Sequence, residues 1–497
     1  MSRAAKIVRT LALLVAAAQL GVLAWLFARR LTYSYDLEWM EGGMLCHAQR
    51  ILDGKPVYAP PSLDFIPYLY TPLYPALLAA LAKLTGGIGY LSARVVSVGG
   101  FLGALWLGGR FALRAGGSRA AAFAAMALPA AAFATTGAWY DLARPDSLWL
   151  FLVTAALLVL YSAARIPEGE ARRGGPRSHA FTALAALLMV AAFLCKQTAS
   201  PFLIAGGVAL LALDWRLVPT YVVVLAVAGL GSLWWLNHTS DGWFWTYVFK
   251  LHQSHLFYAK RAFVETPLHL AVLDGPALIV VPWALWRRRS PAVIYAAFLG
   301  ACGVAVACVS FGTQWAFDNA FIPGVFFPAL AMGAAGGALV SSRKGELTPR
   351  LRPVVVYALL AASLALHPFD PRRFVPTARD RAAGKSLVER LRAAPGEVLI
   401  PFHPFYAQLA GKRTFLHRMG VMDIQAAGLW PPRGLAEATR AHRFALAVFD
   451  DRIDGNWFLW PEMQREYRVN ERIGGPHTVS GAPTVPTYVL VPNDRAP

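Results

Sequence analysis

Charged residues are scarce in this chain: Asp, Glu, Lys and Arg together make up 15% of its 497 residues, against 57% hydrophobic. With a mean hydropathy of +0.45, too little polar surface remains to cover a water-soluble globule of this length, which excludes a single soluble domain. Acidic residues are the scarcer sign, 28 against 47 basic ones. The surplus of 19 positive charges does not read as a nucleic-acid footprint, because the basic residues punctuate long apolar runs as membrane-topology signals do. Cysteine is rare as well. Cys46, Cys195, Cys302 and Cys308 lie mostly inside apolar runs without CxxC or CxxxC spacing, so neither a disulfide framework nor a zinc site is expected. Also missing are a GxGxxG or other phosphate-cradling fingerprint, an internal repeat, and any low-complexity tract beyond Ala-rich helices.

What the chain does have is a series of apolar runs. The first, from about Leu11 to Phe27, follows Arg3, Lys6 and Arg9 and lacks a convincing small-residue cleavage site, so it reads as a retained anchor with a cytoplasmic N-terminus. The acidic segment holding Asp36, Glu38 and Glu41 then emerges on the far side of what is expected to be a bacterial cytoplasmic membrane. Pro72–Leu84 offers about 13 residues where roughly 20 are needed to cross. Placed as a periplasmic or re-entrant helix in the interface, anchored by Tyr68, Tyr70 and Tyr74, it leaves the arginine-bearing loops from Arg110, Arg165, Arg287 and Arg343 onward all on the cytoplasmic side. The spans then fall at 10–29, 90–112, 119–137, 147–164, 180–195, 199–213, 217–236, 267–286, 291–310, 319–341 and 353–367. The expected fold is therefore an all-α polytopic membrane protein of about eleven transmembrane helices over residues 1–367, followed by an extracytoplasmic domain over 368–497. That tail is charged and Pro-rich, with a helical stretch near Ala378–Ala393 and strand-like runs at Glu397–Pro401, Ala445–Phe449 and Thr487–Val491, which predicts a small α/β domain.

A transporter places ionisable groups in mid-membrane, and the spans here are nearly free of them, with Arg94 near the end of its span and Asp274 inside the eighth as exceptions. The chemistry-bearing residues collect instead in three outward loops. The first reads Tyr35-Asp36-Leu37-Glu38-Trp39-Met40-Glu41-Gly42-Gly43, with three carboxylates in six residues at the membrane mouth, either a solvated acidic loop or a ligand site. The second carries Asp141, Arg144 and Asp146; Asp146 serves equally as a helix N-cap after Pro145, and Asp141 and Arg144 bind a sugar hydroxyl, orient an acceptor or pair with each other. Lys196, a lone lysine in an apolar hairpin, either snorkels or holds a phosphate. The third loop gathers His252, His255, Tyr258, Lys260 and Arg261 into a basic and aromatic cluster or an interfacial belt. Asp450, Asp451 and Asp454 in the tail read as a strand-end turn.

The run from Glu41-Gly42 through Ala48 to Gly54, then Lys55-Pro56-Val57-Tyr58, Tyr70-Thr71-Pro72-Leu73-Tyr74-Pro75 and Arg94-Val95-Val96-Ser97, resembles the N-terminal module of C-type (GT-C) membrane glycosyltransferases. It is most similar to the protein O-mannosyltransferase and lipid A aminoarabinose transferase group, glycosyltransferase family 39-like, over roughly residues 10–200. The resemblance places Glu41 on the second member of an acidic pair in the first outer loop; the first member, usually Asp, is Met40 here, so Glu38 or Asp36 is the alternative carrier of part of the role. It implies transfer of a sugar to an extracytoplasmic acceptor, a lipid, glycan or protein. With no nucleotide sugar outside the cytoplasm, the donor fits a polyprenyl-phosphate-linked sugar, whose leaving phosphate needs a cation more than an acid. Glu41 is then the expected general base of an inverting displacement. Some relatives use a divalent metal ion, but no ligand spacing here demands one, and no other cofactor is expected. The competing reading is a non-catalytic polytopic transporter or scaffold for envelope glycolipid precursors.

Overall fold

Three apolar helices begin where a hydroxyl stands ready for their first free amides. Ser2, Ser118 and Ser290 accept from the N–H groups of Ala5, Ala121 and Val293, each at the head of an apolar run. The computed structural model describes residues 2–165, 175–341, 351–450 and 461–493. Among these, seven helices are long and apolar enough to cross a membrane: Arg3–Arg30, Tyr90–Gly116, Asp146–Ala163, Pro176–Cys195, Gln197–His238, Pro291–Phe311 and Asp318–Val340. An eighth is added if the bent pair Arg261–Leu273 and Gly275–Arg287 is one span. Leu73–Thr85, Arg119–Ala131 and Leu351–Ala365 are shorter apolar helices.

The stretch Gln197–His238 is not one straight rod. Asp214 is extended, and Tyr221 Oη donates to Leu203 O at 3.1 Å, although eighteen residues of continuous helix would hold those groups about 27 Å apart. It folds back as a hairpin where the sequence parts 199–213 from 217–236. Two other expected spans are corrected. The segment 267–286 bends by 80° at Asp274, where Gly275-Pro276 interrupts the amide ladder. The segment 119–137 breaks at Ala127 beside Pro129, and its helix ends at Ala131.

The bundle has two chemically distinct ends. At one, Ser341 Oγ donates to Gly116 O and Ser118 Oγ lies 3.2 Å from Tyr357 Oη, which gathers the ends of four helices around Arg9 and Arg119. The Arg287–Arg289 turn precedes Val293, which shares an apolar cluster with Leu339 and Val356 at this same end. The helices meet closely there: a Cβ on Gly116 would lie 2.5 Å from Ala334 O. At the other end, the loops 31–40 and 138–145 lie under the C-terminal segment. Helix Asp318–Val340, 94% buried in its apolar window, runs between the two ends as the central pillar.

The tail carries helix Ala378–Ala393, opened by a capping box between Thr377 and Asp380, and a four-stranded sheet. Strands β1 (Glu397–Leu399), β2 (Phe444–Asp450), β3 (Tyr467–Arg472) and β4 (Pro486–Pro492) take the order β1-β2-β4-β3, with β1 parallel to β2 and the other pairs antiparallel. Strand β3 escapes sequence reading because, as an edge strand, it buries only Tyr467 and exposes most of the polar run behind it.

Candidate active site

Helix Glu41–Leu52 opens on Glu41, and its carboxylate is fully engaged. Arg94, from the span Tyr90–Gly116, clamps it with Nε at 3.0 Å from Oε1 and Nη2 at 2.7 Å from Oε2. The amides of Leu37 and Ala143 donate to the same two oxygens at 2.6 and 2.7 Å. Arg94 spends its other N–H groups on the carbonyls of Arg30, Tyr33 and Tyr35. Burial alone would raise the Glu41 carboxyl, but Arg94 and the two amides hold it below its usual range. Every acceptor direction is taken, and both side chains are wholly buried. In this arrangement Glu41 ties the first loop, the second loop and a span together.

Asp36 is a strut as well. Its Oδ1 accepts from Gly42 N and Tyr90 Oη, each at 2.8 Å, and its Oδ2 faces His403 Nδ1 at 2.7 Å. The far nitrogen, His403 Nε2, meets Asp450 Oδ2 at 2.9 Å. An imidazole with a carboxylate at each nitrogen donates from both and is charged. Burial would discharge His403, but Asp450 and Asp36 raise it to about 10. The strand-end reading of Asp450 is corrected to this extent: it ends β2, but its carboxylate is buried as the tail's anchor on the first loop. Asp451 and Asp454 lie outside the described residues. The raised imidazole contributes its full attachment below its unperturbed 6.5 and loses it as pH climbs toward 10. His403→Leu is expected to expose the tail to limited proteolysis at neutral pH, and alkaline pH to do the same to the unmutated protein; equal cleavage patterns for both proteins at neutral pH would contradict the anchor.

Asp141 completes the frame. It takes Arg30 at 2.7 and 2.9 Å, with both side chains wholly buried, while Arg30 also donates to Phe374 O, Ala138 O and Ser480 Oγ. Of the alternatives open for Asp141 and Arg144, the mutual pair is not formed: each crosses to another segment, Asp141 to Arg30 and Arg144 to Glu38.

The remaining residues form one contiguous polar cluster. Asp146 stands at the start of helix Asp146–Ala163 without capping it. Its Oδ1 instead receives Lys196 Nζ at 2.5 Å and Asn319 Nδ2 at 2.9 Å, and its Oδ2 receives Trp139 Nε1 at 3.1 Å. Arg144 donates to Glu38 Oε2 at 2.9 Å and to Tyr70 Oη at 2.8 Å, and lies over the Trp139 and Tyr70 rings. Burial pushes the Glu38 carboxyl up to about 7 against the pull of Arg144. Gly481, at φ +64°, crosses directly above: a Cβ there would fall 2.9 Å from Glu38 Cγ. Lys196 is the cation of this cluster that reaches an opening, its side chain 13% exposed while those of Glu38, Arg144 and Asp146 are all but closed off. Beside it Gln197 donates to Leu69 O, and His252 lies 3.2 Å from the same carbonyl.

The third loop is split. His252 faces Gln197, and His255 pairs with Asp423 of the tail at 3.1 Å. Lys260 and Arg261 make contacts away from that cluster, Lys260 pairing with Glu265 in the open and Arg261 stacking 3.7 Å over Phe311 while donating to Ala316 O, and the backbone amide of Tyr258 bonds Gly312 O. Among the described residues no three His, Cys, Asp or Glu side chains are arranged to hold a metal ion. With Glu41, Asp36 and Asp141 engaged by protein donors, these residues do not fit a bridging divalent ion. Arg30, His403 and Asn319 were not legible as site residues; each meets a carboxylate from more than a hundred positions away, Asp141, Asp36 and Asp146 in turn.

The architecture matches solved structures along nearly its whole length. ArnT from Cupriavidus metallidurans bound to undecaprenyl phosphate aligns with a TM-score of 0.59 at 16% identity, covering 97% of this chain and 98% of that one. The same protein in the apo state gives 0.59 at 15%, covering 96% and 97%. The apo oligosaccharyltransferase of Archaeoglobus fulgidus gives 0.50 at 11%, covering 90% and 69%. No protein-family model matches the sequence, and no curated protein does. The matched structures are GT-C fold glycosyltransferases. At such identities the likeness establishes the fold: this chain is a multi-pass membrane protein of the GT-C fold.

Proposed function

We propose that this chain is an integral membrane glycosyltransferase that moves a sugar from a polyprenyl-phosphate carrier to an extracytoplasmic hydroxyl acceptor, a lipid, glycan or protein, with inversion. The observation that carries it is the meeting of Lys196, Asp146 and Asn319 with Glu38, Arg144 and Tyr70 at one mouth of the bundle, on a fold shared with a protein solved with undecaprenyl phosphate bound. In this reading the bundle crosses a bacterial cytoplasmic membrane, the basic end and N-terminus lie in the cytoplasm, and the tail lies outside.

Lys196 takes the phosphate. Asp146, fixed by Asn319 and Trp139, aims the ammonium toward the opening, and the carrier's tail lies along the apolar helix faces below. Glu38 replaces Glu41 as the general base. Its carboxyl, near 7, suits proton transfer at neutral pH better than one held low by a clamped guanidinium. As the acceptor oxygen bonds to the anomeric carbon, its proton passes to Glu38; the bond from that carbon to the phosphate oxygen breaks, and the electron pair leaves on the phosphate, facing Lys196. His252 and Gln197 flank the same opening and would contact the sugar or the phosphate.

A base must be deprotonated to act, so turnover is expected to rise with pH through about 7. Glu38→Gln is expected to lower kcat by about 10²–10⁴ and erase that acid limb, with donor KM little changed. The test is purified protein with radiolabelled polyprenyl-phosphate sugars, scored for acceptor-dependent loss of label from lipid. Relocation of intact labelled lipid across vesicles with no such loss would establish the transporter reading instead.

A further inference from the structure

The proposed reaction leaves the tail without a task, yet one of its segments lies directly on the reacting groups. Between β3 and β4, residues 477–484 form a strap: Thr478 Oγ1 accepts from Thr484 N at 2.8 Å, and His477 N donates to Asp380 Oδ1 at 3.2 Å. The tip is stitched to both outer loops. The amides of Val479 and Ser480 donate to Leu37 O at 2.9 and 3.0 Å, and Gly481 N donates to Gly137 O at 3.2 Å. Ser480 Oγ donates to Ala138 O at 3.0 Å while accepting from Arg30 Nη2 at 2.8 Å. These anchors adjoin the polar cluster, since Leu37 precedes Glu38, and Gly137 and Ala138 precede Trp139. Gly481 is the point of closest approach. At φ +64° it takes a conformation that side chains disfavour, and a Cβ there would lie 2.9 Å from Glu38 Cγ and 3.0 Å from Trp139 Cζ3. Trp139 in turn holds Asp146. One glycine thus rests on the proposed base and on the residue that fixes the carboxylate beside Lys196.

We infer that the tail is a working part of the site: its strap positions Glu38 and keeps water from it, with Gly481 as the positioning residue. This role presupposes Glu38 as the base of the proposed function. Among the described residues the charged and titratable groups acting on Glu38 are Arg144 of the second loop, Asp36 and Glu41 of its own, and Tyr68. Val479, Ser480 and Gly481 add none, so the strap acts on the carboxyl by excluding water. Lifting it lets water solvate the carboxylate, which then holds its proton less firmly.

The test compares the full-length protein with Gly481→Ala and Ser480→Ala, and with Gly474→Ala, whose Cβ would meet open space in the same tail. In transfer from radiolabelled polyprenyl-phosphate sugars, both strap variants are expected to lower kcat about tenfold or more and to move its acid limb from about 7 toward the ordinary glutamate range of about 4–5, with donor KM little changed. Gly474→Ala is expected to keep both rate and limb. Folding is followed by Tm, and Ser480→Ala carries the test if Gly481→Ala does not fold. A folded strap variant whose limb stays at the unmutated pH would overturn the inference, and would leave the base standing if Glu38→Gln still erases that limb. Water access is read without turnover. Glu38→Cys is expected to react slowly with a water-soluble maleimide and about tenfold faster once Ser480→Ala is added, as located by peptide mass spectrometry. Equal labelling would overturn the strap even in the absence of transfer; faster labelling with no acid limb in any protein would remove the base and keep the shield.

Discussion

Lys196→Ala is expected to lower sugar transfer by about a hundred- to a thousandfold while the protein stays folded and membrane-inserted. The size follows from what the ammonium does in the proposed step: it faces a phosphate whose charge grows as the bond to the sugar breaks, at a mouth where little water competes. The fold is spared because Lys196 is partly exposed and Asp146 keeps Asn319 and Trp139 as partners when it is gone. Asp146→Asn weakens the same contact from the other side. The two changes together are expected to cost little more than Lys196→Ala alone, since both act on one interaction. Single-turnover rates with saturating donor are the measurement. A Lys196→Ala variant that transfers at the unmutated rate would leave the lysine as a snorkelling side chain and remove the proposed phosphate site.

The second large effect falls on stability. Glu41→Gln leaves the Arg94 guanidinium buried without its counter-charge, and such a loss is expected to destabilise by about 3–5 kcal/mol. The loops lose with it, because the same carboxylate receives the amides of Leu37 and Ala143. Low yield in the membrane and a much lower Tm are the expected readouts. Replacing both partners, Glu41→Met with Arg94→Met, is expected to recover part of the loss because no charge is then left unpaired. The protein that does fold as Glu41→Gln is expected to keep its rate per folded molecule, whereas Glu38→Gln keeps its yield and loses its rate. That crossed pattern separates strut from base.

Much of this architecture was legible because hydrophobic spacing is a local signal. Apolar length against bilayer thickness predicted the long helices, and Pro72–Leu84 was judged too short to cross from the same arithmetic; it forms helix Leu73–Thr85. Helix Ala378–Ala393 and three of the four strands followed from period and turn residues. The misreadings are just as physical. Prolines at 129 and 276 broke helices whose composition alone reads as continuous. Strand β3 lacks the apolar alternation that marks a half-buried strand.

The acidic loop was visible as chemistry, but the division of labour within it was not. Asp36, Glu38 and Glu41 are equivalent carboxylates on paper, six positions end to end. Their roles diverge only when partners arrive from afar: Arg94 for Glu41, His403 for Asp36, and Arg144 for Glu38. Each partner changes what the carboxylate holds and how readily it keeps a proton.

The sequence by itself determined that this protein lives in a membrane, which segments are helical, and that its charged and aromatic side chains gather in loops. Those properties depend on neighbours a few residues apart and on the solvent. Only the tertiary structure decided which partner each acid of the first loop meets, because a buried charge takes its character from the charges folded against it, and those come from anywhere in the chain.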